Sequence, residues 1–190
     1  MRVIATDLKD VFILESEVHG DHRGWFIESW AERTMKEHGL NYNFVQDNHS
    51  FSAAKGTLRG LHCQKGEAAQ AKLVRCTRGA IMDFVVDVRK GSPTYKQWIS
   101  VELSAQNHKQ LLVPRGFLHG FLTLTEDVEF LYKVDNYYNK EADRSICWND
   151  PELGVQWGID NPIVSEKDAT APLYRDSDID FVYHNADIKQ

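Results

Sequence analysis

Two of the eight histidines sit within two positions of a glycine inside apolar runs, His62 in "TLRGLHCQ" and His119 in "VPRGFLHGF". A strand whose only task is packing favours β-branched and aromatic residues, because Gly weakens strands and Arg is seldom fully buried. An arginine, a glycine and a histidine within four positions therefore suggest a task beyond packing. Imidazole titrates near pH 6.5, which suits a general base. Side-chain alternation places Leu58, Gly60, His62 and Gln64 on one strand face, and Lys72, Val74 and Cys76 on one face of the next strand. With His62 and Lys72 both inward, a barrel interior holds a base and a cation. Tyr132 in "VEFLYKV" shares a face with Phe130 and Val134 and can add a phenol. Each group also has a plain reading: a core histidine bonded to backbone, a solvated lysine, or a core tyrosine with its hydroxyl satisfied. His19, His22, His38, His108 and His184 stand in polar or turn-like contexts and read as solvated, while His49 in "QDNHS" fits either role.

The elements that must position these groups are strands. Short β-rich runs recur about every ten residues from "DVFILESEV" to "VEFLYKVDNYY" with turn chemistry between them, and no long helical pattern intervenes to make parallel crossovers. The expectation is an all-β jelly-roll sandwich or barrel with a few short peripheral helices. "AERTMKEHGL", closed by Gly39, is the one early helical stretch. At 190 residues and 42% hydrophobic content, the chain reads as a single domain over 1–190. Its jelly-roll core is expected over about 10–140, with a tail rich in Asp, Pro and Trp packing over the sheets.

A net charge of −6 and a pI near 5.7 argue against nucleic acid or an anionic membrane as a partner, though local arginines can still bind a small anion. Cys63, Cys76 and Cys147 are odd in number and lack C-x-x-C spacing, and "MRVIATDLKD" has no apolar signal core. No apolar run approaches the roughly 18 residues that span a bilayer. The expectation is a reduced, soluble, cytoplasmic protein. P-loop, G-x-G-x-x-G and G-x-S-x-G motifs are all absent, which removes support for nucleotide hydrolysis, dinucleotide redox chemistry and the serine-hydrolase elbow.

Small barrels of the cupin kind often hold a metal through an H-x-H pair, a carboxylate and a later P-x-G-x-x-H. Pro114, Gly116 and His119 supply the later motif, but His62 is followed by Cys63 and Gln64. A divalent site needs three or more converging ligands. No metal is expected, with a site of Cys63 and two histidines left open.

In order along the chain, "DHRGWFIESW", "FVQDNHS", "TLRGLHCQ", "AKLVRCTRG", "DVRKGSPTY", "LLVPRGFLHGF", "FLYKVDNYYNKEADRSICWNDPELGVQW" and "VSEKD" resemble the dTDP-4-dehydrorhamnose 3,5-epimerase family. The resemblance implies a cupin-like jelly roll, a homodimer, a dTDP-sugar substrate and no metal or organic cofactor. The family motif R-G-L-H-Y-Q falls on Arg59 to Gln64 and implies that His62 is the general base. Asp168, in the S-x-K-D segment, is implied to orient and charge-stabilise it. Lys72 falls on the lysine at the sugar carbonyl, and Tyr132 on the tyrosine that donates a proton. Arg23 and Arg59 match phosphate-binding arginines, and Glu28, Gln46, Asn48, His119 and Lys167 match further substrate contacts. Asp143 stands where the family has a glutamate, and Cys63 replaces a tyrosine or phenylalanine, which would open space near the base. A related epimerase acting at one carbon or on another sugar, and a non-catalytic sugar-nucleotide-binding cupin, are the competing readings. For Arg59 and His62 to meet one ligand from opposite pleat faces, a bulge is predicted near Gly60.

Overall fold

Every strand-like run identified in the sequence pairs antiparallel with a neighbour in the computed structural model, which describes residues 1–184. In chain order the strands are β1 (Arg2–Ala5), β2 (Phe12–Glu15), β3 (Val18–Asp21), β4 (Gly24–Ile27), β5 (Gln46–Ser52), β6 (Leu58–Gln64) and β7 (Lys72–Arg78). They continue with β8 (Ala80–Asp87), β9 (Trp98–Ser104), β10 (Lys109–Val113), β11 (Phe117–Thr123), β12 (Val128–Val134) and β13 (Asp143–Ser145). Two short α-helices, α1 (Glu32–Glu37) and α2 (Glu166–Ala169), lie outside the sheets. Gly39, at φ 75°, turns the chain out of α1 where a Cβ would be strained.

One sheet runs β1-β2-β10-β7-β12-β5 and the other β13-β6-β11-β8-β9, and β3 and β4 form a separate hairpin. Alternation explains three apolar clusters. Val74, Cys76, Leu111 and Phe130 meet Ile81, Val85, Phe117 and Phe121 between the sheets. The outer face of the second sheet presents Leu61, Cys63, Phe84, Leu118 and Ile146, and Leu153, Val155, Trp157 and Tyr174 of the C-terminal segment cover it. Met35 and Leu40 close the outer face of the first sheet over Leu14, Leu73 and Leu112. The sheets extend past the expected limits of about 10–140, since β1 lies before them and β13 after. Neither strand stood out in the sequence, because three or four residues are too few to show a period.

The predicted bulge is present. On β6, His62 pairs with His119 and Arg59 with Phe121, so three steps on one strand match two on the other. The extra residue brings Arg59 and His62 to the same side, a change from the uninterrupted alternation read in the sequence. Glycine is required on both strands there. A Cβ on Gly60 would lie 2.6 Å from Cα of Gly120, and one on Gly120 would lie 2.8 Å from the Arg59 carbonyl oxygen. Gly120→Ala is therefore expected to force the strands apart and destabilise the protein by about 1–3 kcal/mol, the usual cost of overpacking. Urea denaturation measures this, and a midpoint equal to wild type would contradict the packing account.

Among the described residues, no helix is long and apolar enough to cross a membrane.

Candidate active site

A cleft of about 480 Å³ opens between the two sheets where the bulge lies, lined by Ser50, Arg59, His62, Lys72, His119, Tyr132, Lys167 and Asp168 among others. A second cavity, of about 510 Å³, involves Asp10, Tyr42, Arg89, Arg115 and Asp135. There the two guanidiniums are already bound by carboxylates, Arg89 by Asp87 and Asp10 and Arg115 by Asp135. The chemistry-bearing groups converge in the first.

His62 Nε2 lies 2.6 Å from Asp168 Oδ1. The carboxylate comes from more than a hundred residues away, on the first turn of α2, where the Ser165 hydroxyl caps the helix by accepting the Asp168 N–H. Asp168 is only 3% exposed. Burial pushes its carboxyl up, but the hydrogen bond and charge of His62, with the Gly60 N–H and Ser165, outweigh burial and hold it below the usual range. The pair thus stabilises the fold above the ordinary carboxyl range near pH 4, and that stabilisation is lost as acid takes Asp168 through its depressed pKa. With Nε2 engaged, Nδ1 is the ring nitrogen left to accept a proton, and it has no partner among the described residues.

Lys72 opens β7 between Val113 of β10 and Val134 of β12. Its ammonium bonds to no other side chain among the described residues. Burial pulls its pKa down, while Cys63, Asp83 and Asp143 partly restore it. Tyr132 stands on the facing sheet from His62. Burial raises its phenol against the opposing pull of Arg59, so the proton stays on at neutral pH. Arg59 is fixed by Ser52 Oγ at 3.2 Å and the Phe51 carbonyl at 3.1 Å, leaving further N–H groups for an anion. A base, an unpaired ammonium and a protonated phenol thus share one cleft with a guanidinium at its edge.

The remaining sequence-derived residues divide. His119 lines the cleft and bonds through Nε2 to both oxygens of Asp83, at 2.9 and 3.0 Å. Lys167 lines it too, held by Asp143 at 2.6 Å. Gln46 and Asn48 sit on β5 in the pleat phase of Ser50, hydrogen-bonded to each other, with Asn48 opposite Tyr132. Arg23 and Glu28 are not brought to this cleft. Arg23 pairs with Asp21 on the β3–β4 hairpin, and Glu28 accepts a hydrogen bond from Thr34. His49 Nε2 lies 3.2 Å from Glu129 Oε2 at the surface, away from the cleft. Cys63 points into the cluster outside the second sheet, so it opens no space at the base, and the alternative of Cys63 with two histidines around a metal is not assembled. Among the described residues, no three His, Cys, Asp or Glu side chains are placed to hold a metal ion. Sequence reasoning missed Asp83, whose signal is a carboxylate in the otherwise apolar run "AIMDFVV".

Comparison with known proteins follows the same lines. A sequence profile described as dTDP-4-dehydrorhamnose 3,5-epimerase matches residues 5–176. The dTDP-4-dehydrorhamnose 3,5-epimerase of Salmonella typhimurium is 54% identical over 175 residues, spanning 91% of this chain and 95% of that protein. The crystal structure of dTDP-4-dehydrorhamnose 3,5-epimerase from Bacillus anthracis, with TDP and PPi bound, matches with a TM-score of 0.88 at 49% identity, covering 90% of this chain and 98% of that one. The dTDP-6-deoxy-D-glucose-3,5-epimerase of Legionella pneumophila, solved in complex with dTDP-4-keto-L-rhamnose, matches with a TM-score of 0.90 at 40% identity, covering 96% and 98%.

Proposed function

Because this chain belongs to the dTDP-4-dehydrorhamnose 3,5-epimerase family, we propose that it inverts carbons 3 and 5 of dTDP-4-dehydro-6-deoxy-D-glucose, giving dTDP-4-dehydro-L-rhamnose for dTDP-L-rhamnose synthesis. The observation that carries this reading is the His62–Asp168 pair facing Lys72 and Tyr132 across one cleft.

The substrate's own ketone makes the chemistry possible without a cofactor. Loss of the proton from carbon 3 or carbon 5 leaves an electron pair that delocalises onto the oxygen at carbon 4. His62 Nδ1 takes that proton, and Asp168 stabilises the imidazolium formed. The Lys72 ammonium, hydrogen-bonded to no side chain among the described residues, stabilises the enolate oxygen in a partly water-excluded site. Tyr132, from the facing sheet, gives a proton to the opposite face of the carbon, inverts it, and recovers a proton from water. Arg59 holds the diphosphate through charge-assisted hydrogen bonds. Lys167, His119, Asp143, Gln46 and Asn48 complete the substrate contacts. A binding-only protein has no need of a base, an acid and an enolate partner together.

Tyr132→Phe is expected to keep deprotonation but lose inversion at carbon 5, so deuterium from solvent enters while the 5-epimer does not form. Equal loss of both, measured by NMR, would assign the phenol a structural role instead. Conversion of dTDP-4-dehydro-6-deoxy-D-glucose by the purified chain, with nothing added, tests the whole reading. Turnover of that substrate supports it, and inertness refutes it.

The protein acts as a homodimer in this reading. Trp25 and Phe26 on the β3–β4 hairpin are 59% and 68% exposed, an apolar surface that a second copy would cover. Docking of the hairpin at the cleft of the other protomer gives Arg23 and Glu28 their place as substrate contacts. Mixing inactive His62→Ala and Arg23→Ala proteins, with exchange of subunits, should then restore activity, since one site in each mixed dimer is intact. No recovery despite demonstrated exchange would place both residues in one protomer's site.

A further inference from the structure

Asp83 lies in the middle of β8 with none of its surface exposed, and the reaction scheme above makes no use of it. The other carboxylate of the same strand, Asp87, is satisfied by Arg89, Ser92 and Thr94. Among the described residues, Asp83 has no arginine or lysine bonded to it. Both of its oxygens meet one atom, His119 Nε2. A buried carboxylate is costly unless bonded, so this contact constrains the histidine tightly.

The consequence lies on the other side of the ring. Burial pulls the His119 imidazole below its ordinary range, Asp83 opposes that pull, and Lys72 and His62 reinforce it. The ring is neutral at neutral pH and carries one proton. Burial pushes the Asp83 carboxyl up, while the charge and hydrogen bond of His119 and the charge of Lys72 pull it back; as a carboxylate at Nε2 it takes that proton as its hydrogen bond, which leaves Nδ1 with a lone pair. Nδ1 has no partner among the described residues, and His119 stands in the cleft directly across the ladder from His62.

A 4-keto-6-deoxyhexose joined to a diphosphate offers few groups to such an acceptor. Its ketone, ring oxygen, glycosidic oxygen and ionised phosphates only accept hydrogen bonds, and its donors are the hydroxyls at carbons 2 and 3. We propose that Asp83 fixes His119 in the Nε2–H tautomer, so that Nδ1 accepts a hydrogen bond from a ring hydroxyl of the sugar. Asp83 is then a positioning residue, and His119 reads the hydroxylated edge of the sugar and not its phosphates. This rests on the epimerase reading of the cleft.

Long-range nitrogen–proton NMR of the full chain, with labelled histidine and dTDP-glucose bound as a probe that lacks the ketone, reads the tautomer directly once His119→Gln has assigned the signal. A proton on Nε2 alone supports the proposal, and a proton on Nδ1 or on both nitrogens overturns it. In the second arm, Asp83→Asn offers an amide N–H to Nε2 and so favours the opposite tautomer. The KM for the 4-keto sugar nucleotide should rise about tenfold, the scale of one lost hydrogen bond, while affinity for dTDP alone stays unchanged. An unchanged KM overturns the proposal, and the NMR result decides should that variant fail to fold. Wild-type turnover in the same assay separates the two readings. Without it the epimerase reading fails, and with it an unchanged KM in Asp83→Asn removes only the role given to His119 and Asp83.

Discussion

His62→Ala is expected to lower turnover by about 10³-fold while leaving dTDP affinity within a factor of about two, because general bases commonly supply 10²–10⁴ of rate. The substitution removes the group that takes the proton and leaves the arginine that holds the phosphates. Arg59 lies three residues earlier on the same strand, anchored by its own bonds to Ser52 and Phe51, so it does not depend on the imidazole. Loss of the ring also removes the main hydrogen-bond partner of a carboxylate that is only 3% exposed, and a modest loss of stability accompanies the loss of rate. Steady-state kinetics and calorimetric titration with dTDP separate the two effects. Turnover close to wild type would remove His62 from the reaction, and a parallel loss of dTDP binding would show that the variant damages the cleft as a whole.

Lys72→Met is expected to cost about 10²–10³ in kcat with KM changed far less, the range found when a preorganised partner of a developing oxyanion is removed. Methionine keeps the length and apolar stem of the side chain, so the neighbouring strands β10 and β12 still pack against it. The wild-type ammonium is already shifted towards its neutral form by burial. Activity should therefore fall on the alkaline side at a pH below the ordinary lysine range near 10.4. The sign follows from the mechanism: the neutral amine, which dominates above the lowered pKa, has no charge to place against the enolate. A rise in KM with unchanged kcat would instead make Lys72 a binding group.

Which parts of this site were legible in the sequence follows from the range of the forces involved. His62, Lys72 and Tyr132 were found because strand alternation is local and each stood on the phase that faces inward. The bulge was inferred from chemistry, since Arg59 and His62 needed one ligand and a regular pleat separates them. Asp168 is more distant, and only the family resemblance tied it to His62, because no local pattern reports that α2 docks over β6. Cys63 was expected to open space beside the base, yet it follows His62 on a regular stretch of β6, so pleat alternation turns its thiol outward among Leu61 and Ile146. Asp83 was passed over because a single carboxylate in an apolar run has no sequence partner, and its histidine is 36 residues away. Arg23, in the turn of the β3–β4 hairpin, and Glu28, just past β4, matched the family pattern yet lie outside the cleft of their own chain, a placement that strand periodicity does not encode.

Proton NMR of dTDP-4-dehydro-6-deoxy-D-glucose with the protein in deuterated water, following carbons 3 and 5 separately, tests the central claim most directly. Deuterium should enter at both carbons in wild type and at neither in His62→Ala. Exchange at a single carbon would contradict the double epimerisation and make this a one-site epimerase, and exchange at neither carbon in wild type would contradict the assignment of the cleft to this sugar.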